Sequence, residues 1–260
     1  MYHEMINTHE VVKLFHHFMM PSSRFQVLRL VGEAKMGKTH LLTKVFPIIA
    51  EQEYQAHYAV LDLRNQIHAV PDILHMACGQ LGARYCEGYY AAHLAWTNRL
   101  KVGFERVLAI FSYLNVSNKD TIDEARHRDR YLTAQFVNDL GKLDDKLILL
   151  LFDSIDNAND SMQTWLMDML MVQLTQSTHI RIVMAGRSLP EPHGSYAALC
   201  QSCKLLPVTE EEAYITFCQS LNITLAEQSI RDFAYACDYK PGIFVDFVSP
   251  KFSHQRLFHG

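Results

Sequence analysis

Residues 32–39 read Gly32-Glu33-Ala34-Lys35-Met36-Gly37-Lys38-Thr39, and this octapeptide constrains the fold more than any other stretch of the chain. It matches G-x-x-x-x-G-K-[ST] at every fixed position. Such a loop curls until successive backbone N–H groups point inward, and glycine reaches the conformations that this requires. Its flanks agree with it. An apolar run from Phe25 to Val31 leads straight into Gly32, and Lys38 to Ala50 follows with Leu41, Leu42, Val45 and Ile49 at helical spacing. Strand, loop and helix together predict an anion site at which the helix turns its positive end toward a phosphate.

In that arrangement Lys38 is expected to reach the β- and γ-phosphates of a nucleotide, and the Thr39 hydroxyl to coordinate Mg2+. The expected nucleotide-binding set is Gly32, Glu33, Ala34, Lys35, Met36, Gly37, Lys38 and Thr39, with His40 beside it. The side chains of Lys35 and His40 read as variable positions rather than added phosphate ligands. The guanine signature Asn-Lys-x-Asp is absent, since Asn118-Lys119-Asp120-Thr121 carries Thr where the acid belongs. ATP or ADP is therefore the expected nucleotide.

A phosphate loop of this kind needs a carboxylate for the Mg2+ shell at the end of a neighbouring strand. Leu147 to Phe152 is the most apolar run of the chain and ends at Asp153, the form of a Walker B motif. Asp156, three residues on, is the candidate to orient an attacking water; its plainer reading is a loop or helix-capping carboxylate. Ile180 to Ala185 is a further strand and leads to Gly186-Arg187. Arg187 stands where ligands bind in open α/β sheets and is the candidate reader of a γ-phosphate; the alternative is a surface salt bridge.

Tyr58 to Leu63 is another strand, and a short fifth one is expected at Lys204 to Pro207. Thr8 to Met19, Pro71 to Leu81, most of 84–143 and Asp160 to Gln176 read as helices, with Thr8 as an N-cap and a polar break over Asn115 to Asp123. Buried apolar strands alternating with helices predict an α/β fold, a parallel sheet of about five strands flanked by helices. From Thr209 the pattern is helical throughout. The expected division is a nucleotide-binding core over 1–207 and a small helical lid over 208–260. Within the lid, Tyr239-Lys240-Pro241-Gly242 interrupts two helical stretches; it either sets Pro241 against the nucleotide or is a plain turn.

Composition excludes other classes. Hydrophobic residues make up 49% and charged residues 20% of the 260, which is ordinary for a folded domain and unlike a disordered chain. The net charge of −4 provides no basic footprint for nucleic acid, and the cluster Arg126, His127, Arg128, Arg130 reads as a solvated helix face. No apolar run approaches the ~18–20 residues of a membrane span, and no secretory leader is visible. The six cysteines include only one C-x-x-C, Cys200 to Cys203, without a second half at zinc spacing. Reduced, mostly buried cysteines in a cytoplasmic protein are the expectation.

The combination LLLFDSID (149–156), IVMAGR (182–187) and YAVLDLR (58–64), with Trp165-Leu166 and the Leu-x-Pro step from Leu205 to Ala213, resembles STAND-type NTPases, signalling ATPases related to AAA+ proteins. The likeness spans about residues 7–248. It implies an ATP-dependent conformational switch with slow hydrolysis and a protein partner or self-association. The alternatives are an ATP-binding scaffold without turnover and a nucleic-acid remodeller or loader. Three positions depart from the family pattern: Asp156 stands for its Glu, Tyr239 for the glycine of its Gly-x-Pro lid motif, and His9-Glu10 for its Arg-Glu pair. Effector and sensor domains, which such proteins normally attach, are expected on separate proteins or on a longer chain.

Overall fold

The computed structural model describes residues 6, 9–64, 69–110 and 118–253, with the backbone alone over 99–110, 118–123 and 249–253. Five parallel strands form one sheet: β1 (Val27–Val31), β2 (His57–Asp62), β3 (Ile148–Asp153), β4 (Ile180–Gly186) and β5 (Cys200–Lys204), in the order β2-β3-β4-β1-β5. All pairings are parallel, and β4 lies between β1, which carries the glycine loop, and β3, which ends at Asp153. This is an α/β architecture, a parallel sheet flanked by helices, with a helical C-terminal part.

Alternation along the strands sends successive side chains to opposite faces of the sheet. One face buries Leu28, Leu30, Leu149, Leu151, Val183 and Ala185 under α1 (His9–Met19) and α2 (residues 38–54). There Phe15 of α1 stacks on Phe46 of α2, with centroids 3.9 Å apart. The other face buries Ala59, Leu61, Ile148, Leu150, Phe152, Ile182 and Met184. Its cover is α3 (Val70–Leu81), α4 (Glu87–Ile110), α5 (Asn118–Gly141) and α6 (residues 160–174). With both faces covered, the inner strands are apolar on both faces rather than alternating, apart from Arg29 in β1 and Arg181 in β4.

Two helices contain a wide turn. In α2 the Phe46 N–H bonds back to Leu41 O, and in α6 Met171 N–H bonds to Leu166 O, the i→i+5 spacing of a π-bulge. In α2 the bulge directly precedes Pro47, whose ring and missing N–H disturb a regular helix. Helix α6 starts where the Asn159 side chain accepts from the Met162 N–H at 2.8 Å, a side-chain N-cap.

The C-terminal helices α7 (Glu211–Ser220), α8 (Glu227–Ala236) and α9 (Pro241–Ser253) share a separate core of Tyr214, Phe217, Ile230, Ala234 and Phe244, which also buries Ile6. The fifth strand lies earlier than expected, at Cys200–Lys204 rather than 204–207. Being an edge strand it meets only β1, so polar Gln201, Ser202 and Lys204 are tolerated there and no apolar run marks it. Thr8 and residues 115–117 of the polar break lie outside the described residues, while 118–123 open α5. Among the described residues, no helix is long and apolar enough to cross a membrane.

Candidate functional site

Strand β1 delivers the chain to Gly32, where there is no room for a side chain: a Cβ would come within 3.0 Å of Leu205 Cβ and Leu205 O. The loop then turns through Lys35 at φ 66° and Gly37 at φ 85°, left-handed conformations that glycine adopts without the Cβ clash. Helix α2 begins at Lys38, with the Leu41 N–H bonded to Gly37 O at 3.0 Å.

Above this loop is a cleft of about 660 Å3. Ala34, Lys35, Gly37, Lys38, Thr39 and His40 line it from the loop side, and Asp153, Asp156 and Arg187 from the strand ends. Of the residues singled out in the sequence, Gly32, Glu33, Met36 and Pro241 are not on its wall. Met36 is buried, and the Glu33 side chain turns outward to Lys240 Nζ at 2.9 Å. Pro241 is buried in the first turn of α9; the wall beside it is formed by Gly242 and Asp246.

At the base of the cleft the Thr39 hydroxyl donates to Asp153 Oδ2 at 2.7 Å. Asp153 is 2% exposed, and no arginine or lysine is paired with it among the described ion pairs. A buried carboxylate without a cation needs hydrogen bonds or a metal. Thr39 and Asp153 are hard oxygen donors of the kind a Mg2+ ion takes while keeping several waters. The residues present therefore fit that ion, although no cluster of three or more His, Cys, Asp or Glu side chains exists among the described residues.

Lys38 Nζ donates to the carbonyls of Gly32 and Glu33 at 2.6 and 2.7 Å. Burial lowers the affinity of this amine for its proton, with Asp156 and Asp153 opposing that effect. Its contacts are thus with its own loop, in bonds that a phosphate oxygen can replace.

Asp156 and Arg187 are joined to each other. Arg187 Nε donates to Asp156 Oδ2 at 2.6 Å and its backbone N–H to Oδ1 at 3.1 Å. Burial pushes the Asp156 carboxyl up, but the Arg187 side chain and backbone together hold it below the usual aspartate value. The junction depends on Gly186, where a Cβ would sit 2.9 Å from Asp156 Oδ1.

The cleft also holds residues to which no sequence motif assigned a role. Arg64, just past β2, forms part of the wall, as do Thr43 and Lys44 one turn into α2. From the C-terminal helices, Asp246 pairs with Lys35 Nζ at 2.6 Å, and the Gly242 N–H donates to Lys35 O at 2.7 Å. The C-terminal helices thus touch the glycine loop at its variable positions. Lys35 and Glu33 are the residues a motif reading sets aside, because the motif leaves them unspecified.

No protein-family model and no curated protein matches the chain. Solved structures do match it in fold. Against the Walker-type ATPase of Pyrococcus abyssi the TM-score is 0.54 at 12% identity, over 94% of this chain and 67% of that one. Against Cdc6p from Pyrobaculum aerophilum it is 0.51 at 14% identity, over 88% of this chain and 54% of that one. The chain thus spans about two thirds of the first structure's length and about half of the second's. At such identities the likeness shows the fold.

Proposed function

We propose that the chain binds ATP with Mg2+ through the loop Gly32–Thr39 and acts as a nucleotide-dependent conformational switch with slow hydrolysis. The observation that carries this reading is the 2.7 Å bond between Thr39 and Asp153. It joins a helix start and a strand end that are 114 residues apart, at the foot of a cleft large enough for a nucleotide. The fold likeness to a protein described as a Walker-type ATPase supports the same chemistry.

In this reading Lys38 exchanges the carbonyls of Gly32 and Glu33 for phosphate oxygens, and the N–H groups of the loop and of α2 hold the anion. Thr39 and Asp153 would hold the Mg2+, which when bound offsets negative charge on the phosphates. Arg187 moves from Asp156 to the terminal phosphate, a more highly charged acceptor. Asp156, released, accepts a proton from the water poised for attack. Residues 208–260 serve as a lid on a core of 1–207, and the contacts of Lys35 with Gly242 and Asp246 couple the lid to the loop. A STAND-like class, a cytoplasmic location and a protein partner or self-association belong to the same reading. Nucleic acid is not favoured: Arg126, His127 and Arg130 are exposed along α5 and Arg128 is paired with Asp129, which describes a solvated helix.

One observation favours a second reading, an ATP-binding scaffold without turnover. The candidate base Asp156 is held by Arg187 through two hydrogen bonds, and it stays idle if the arginine does not leave. Nucleotide binding and phosphate release by wild type, Lys38→Ala and Asp156→Asn separate the two. The switch requires that Lys38→Ala lose ATP binding and that Asp156→Asn bind ATP but release no phosphate. Unimpaired binding by Lys38→Ala refutes the site, and equal turnover in Asp156→Asn refutes the role of that carboxylate. Identical hydrogen exchange in residues 208–253 with and without ATP would refute the switch.

A further inference from the structure

Asp153 has a neighbour on each side. Toward β4 it is flanked by Asp156 and Arg187. Toward β2 it stands in register with Asp62. The alternation of β2 places Tyr58 and Val60 on the α2 face together with Leu149 and Leu151 of β3, so Asp62 follows them onto the face that carries Asp153, and Arg64, two residues on, reaches the cleft wall. Arg64 Nε donates to Asp62 Oδ2 at 2.7 Å, a second guanidinium nitrogen reaches the same oxygen at 2.5 Å, and the Arg64 N–H donates to Oδ1 at 3.0 Å. The arrangement mirrors the Asp156–Arg187 pair across Asp153.

The Arg64 side chain is 58% exposed and lines the cleft. An ion pair so wet, between residues two apart, is largely screened by solvent, so it does little to brace the fold. Its place on the wall is what distinguishes it. The strands run β1-β4-β3-β2 from the glycine loop outward, so Arg64 stands one strand past Asp153 on the wall of the cleft that Lys38 and Thr39 also line. A guanidinium so placed is suited to a phosphate in that cleft, which it binds in two-pronged fashion.

We propose that Arg64 reads the terminal phosphate of a nucleoside triphosphate from the side of Asp153 opposite Arg187, and that Asp62 is its counterion when that phosphate is missing. The proposal rests on the reading of Gly32–Thr39 as a nucleotide site, and it adds a residue that discriminates triphosphate from diphosphate. Two arginines then converge on one phosphate from the ends of β2 and β4, the strands on either side of β3. Loss of either carboxylate partner is reversible, since both side chains are exposed enough to swing without disturbing the core.

The test is calorimetric titration of the full chain with Mg-ATP and with Mg-ADP, for wild type, Arg64→Gln and Arg64→Lys. A charge-assisted hydrogen bond is worth about 1.5–3 kcal/mol, so Arg64→Gln is expected to lower the ATP-over-ADP affinity ratio by about tenfold or more. ADP affinity should stay at the wild-type value. Arg64→Lys, which keeps the charge and loses the fork, should fall between the two. An unchanged ratio in both variants overturns the proposal, as does an equal loss for both nucleotides, the mark of a structural role. Should wild type discriminate the nucleotides and the variants do so equally, only this inference fails. If wild type binds neither, the nucleotide site itself is refuted and the inference with it.

Discussion

Arg187 grips Asp156 with both its guanidinium and its own backbone N–H, at 2.6 and 3.1 Å, across the gap between β4 and the turn after β3. The first contact is made by an exposed side chain and the second by a fixed backbone, so the two differ in consequence.

Arg187→Met leaves the backbone bond and removes the charge. Because the folded Asp156 carboxyl lies below its ordinary value, the pair stabilises the fold above the unfolded aspartate pKa of about 3.9. That contribution is lost as pH falls through the folded value. The variant should be less stable at neutral pH by on the order of 0.5–1 kcal/mol, a figure discounted for solvent. The difference should close as pH falls through and below about 3.9. With the guanidinium gone, burial is opposed by the backbone N–H groups of Arg187 and Asp156 without the charge, so the variant's carboxyl titrates at higher pH. Unfolding midpoints followed from neutral to acid pH check this, and a pH-independent difference would contradict it.

Gly242 is predicted to matter more for seating α9 on the glycine loop than both ion pairs around it. The Glu33–Lys240 and Lys35–Asp246 bridges involve mostly exposed side chains, worth up to about 1 kcal/mol each and screened by salt. A Cβ at 242 would lie 2.6 Å from Lys35 O and 3.0 Å from Lys35 Cα, and a backbone contact cannot step aside. Gly242→Ala should raise hydrogen exchange at the amide of position 242 and in the first turn of α9 at any salt. Glu33→Ala and Lys35→Ala should do so weakly, and hardly at all at high salt. The reverse ranking would show that charge seats the helix.

Tyr239 adopts φ 53°, directly after Asp238 at φ 51°, where an L-residue is strained by roughly 1–2 kcal/mol. Its ring offsets this by lying 6.4 Å from Tyr214 and by donating its hydroxyl to Glu211 at 3.2 Å. Tyr239→Ala keeps the strain and loses the ring. Tyr239→Gly loses both. The glycine variant should therefore be the more stable of the two by about 1 kcal/mol in urea denaturation; equal midpoints would remove the strain argument.

Thr133 is fully buried and accepts from Trp165 Nε1 at 2.8 Å while donating to Asp129 O at 2.6 Å. Thr133→Val keeps the volume and leaves the indole N–H unpartnered between α5 and α6. The loss should be about 1–3 kcal/mol, read from the denaturation midpoint, with Thr133→Ser near wild type. A neutral valine variant would mean that water reaches the indole.

The inner strands were legible because burial on both faces leaves a nearly continuous apolar signal: Ile148–Asp153 and Ile180–Gly186 are buried at every position, and in the second only Arg181 interrupts the apolar run. Arg181 and Arg29 hide in that same core without a warning in the sequence. Arg181 donates to the carbonyls of Phe18, Met20 and Thr178, and Arg29 to those of Leu189 and Pro190. A guanidinium is buried when backbone carbonyls from other segments meet it, and their arrival is a tertiary event. The edge strand β5 was misplaced for the opposite reason, since one neighbour demands little apolarity.

Local chemistry alone determined the loop Gly32–Thr39, its strand and helix, the acid at Asp153 and the arginine at Arg187, because each depends on residue type and short-range spacing. Tertiary structure decided what these groups touch. It set Asp156 against Arg187, turned Glu33 and Lys35 toward the C-terminal helices, and raised Arg64 and Asp246 to the cleft wall. Such partners come from segments far apart in the chain, and only the assembled sheet, which fixes where each strand ends relative to its neighbours, brings them within hydrogen-bonding distance.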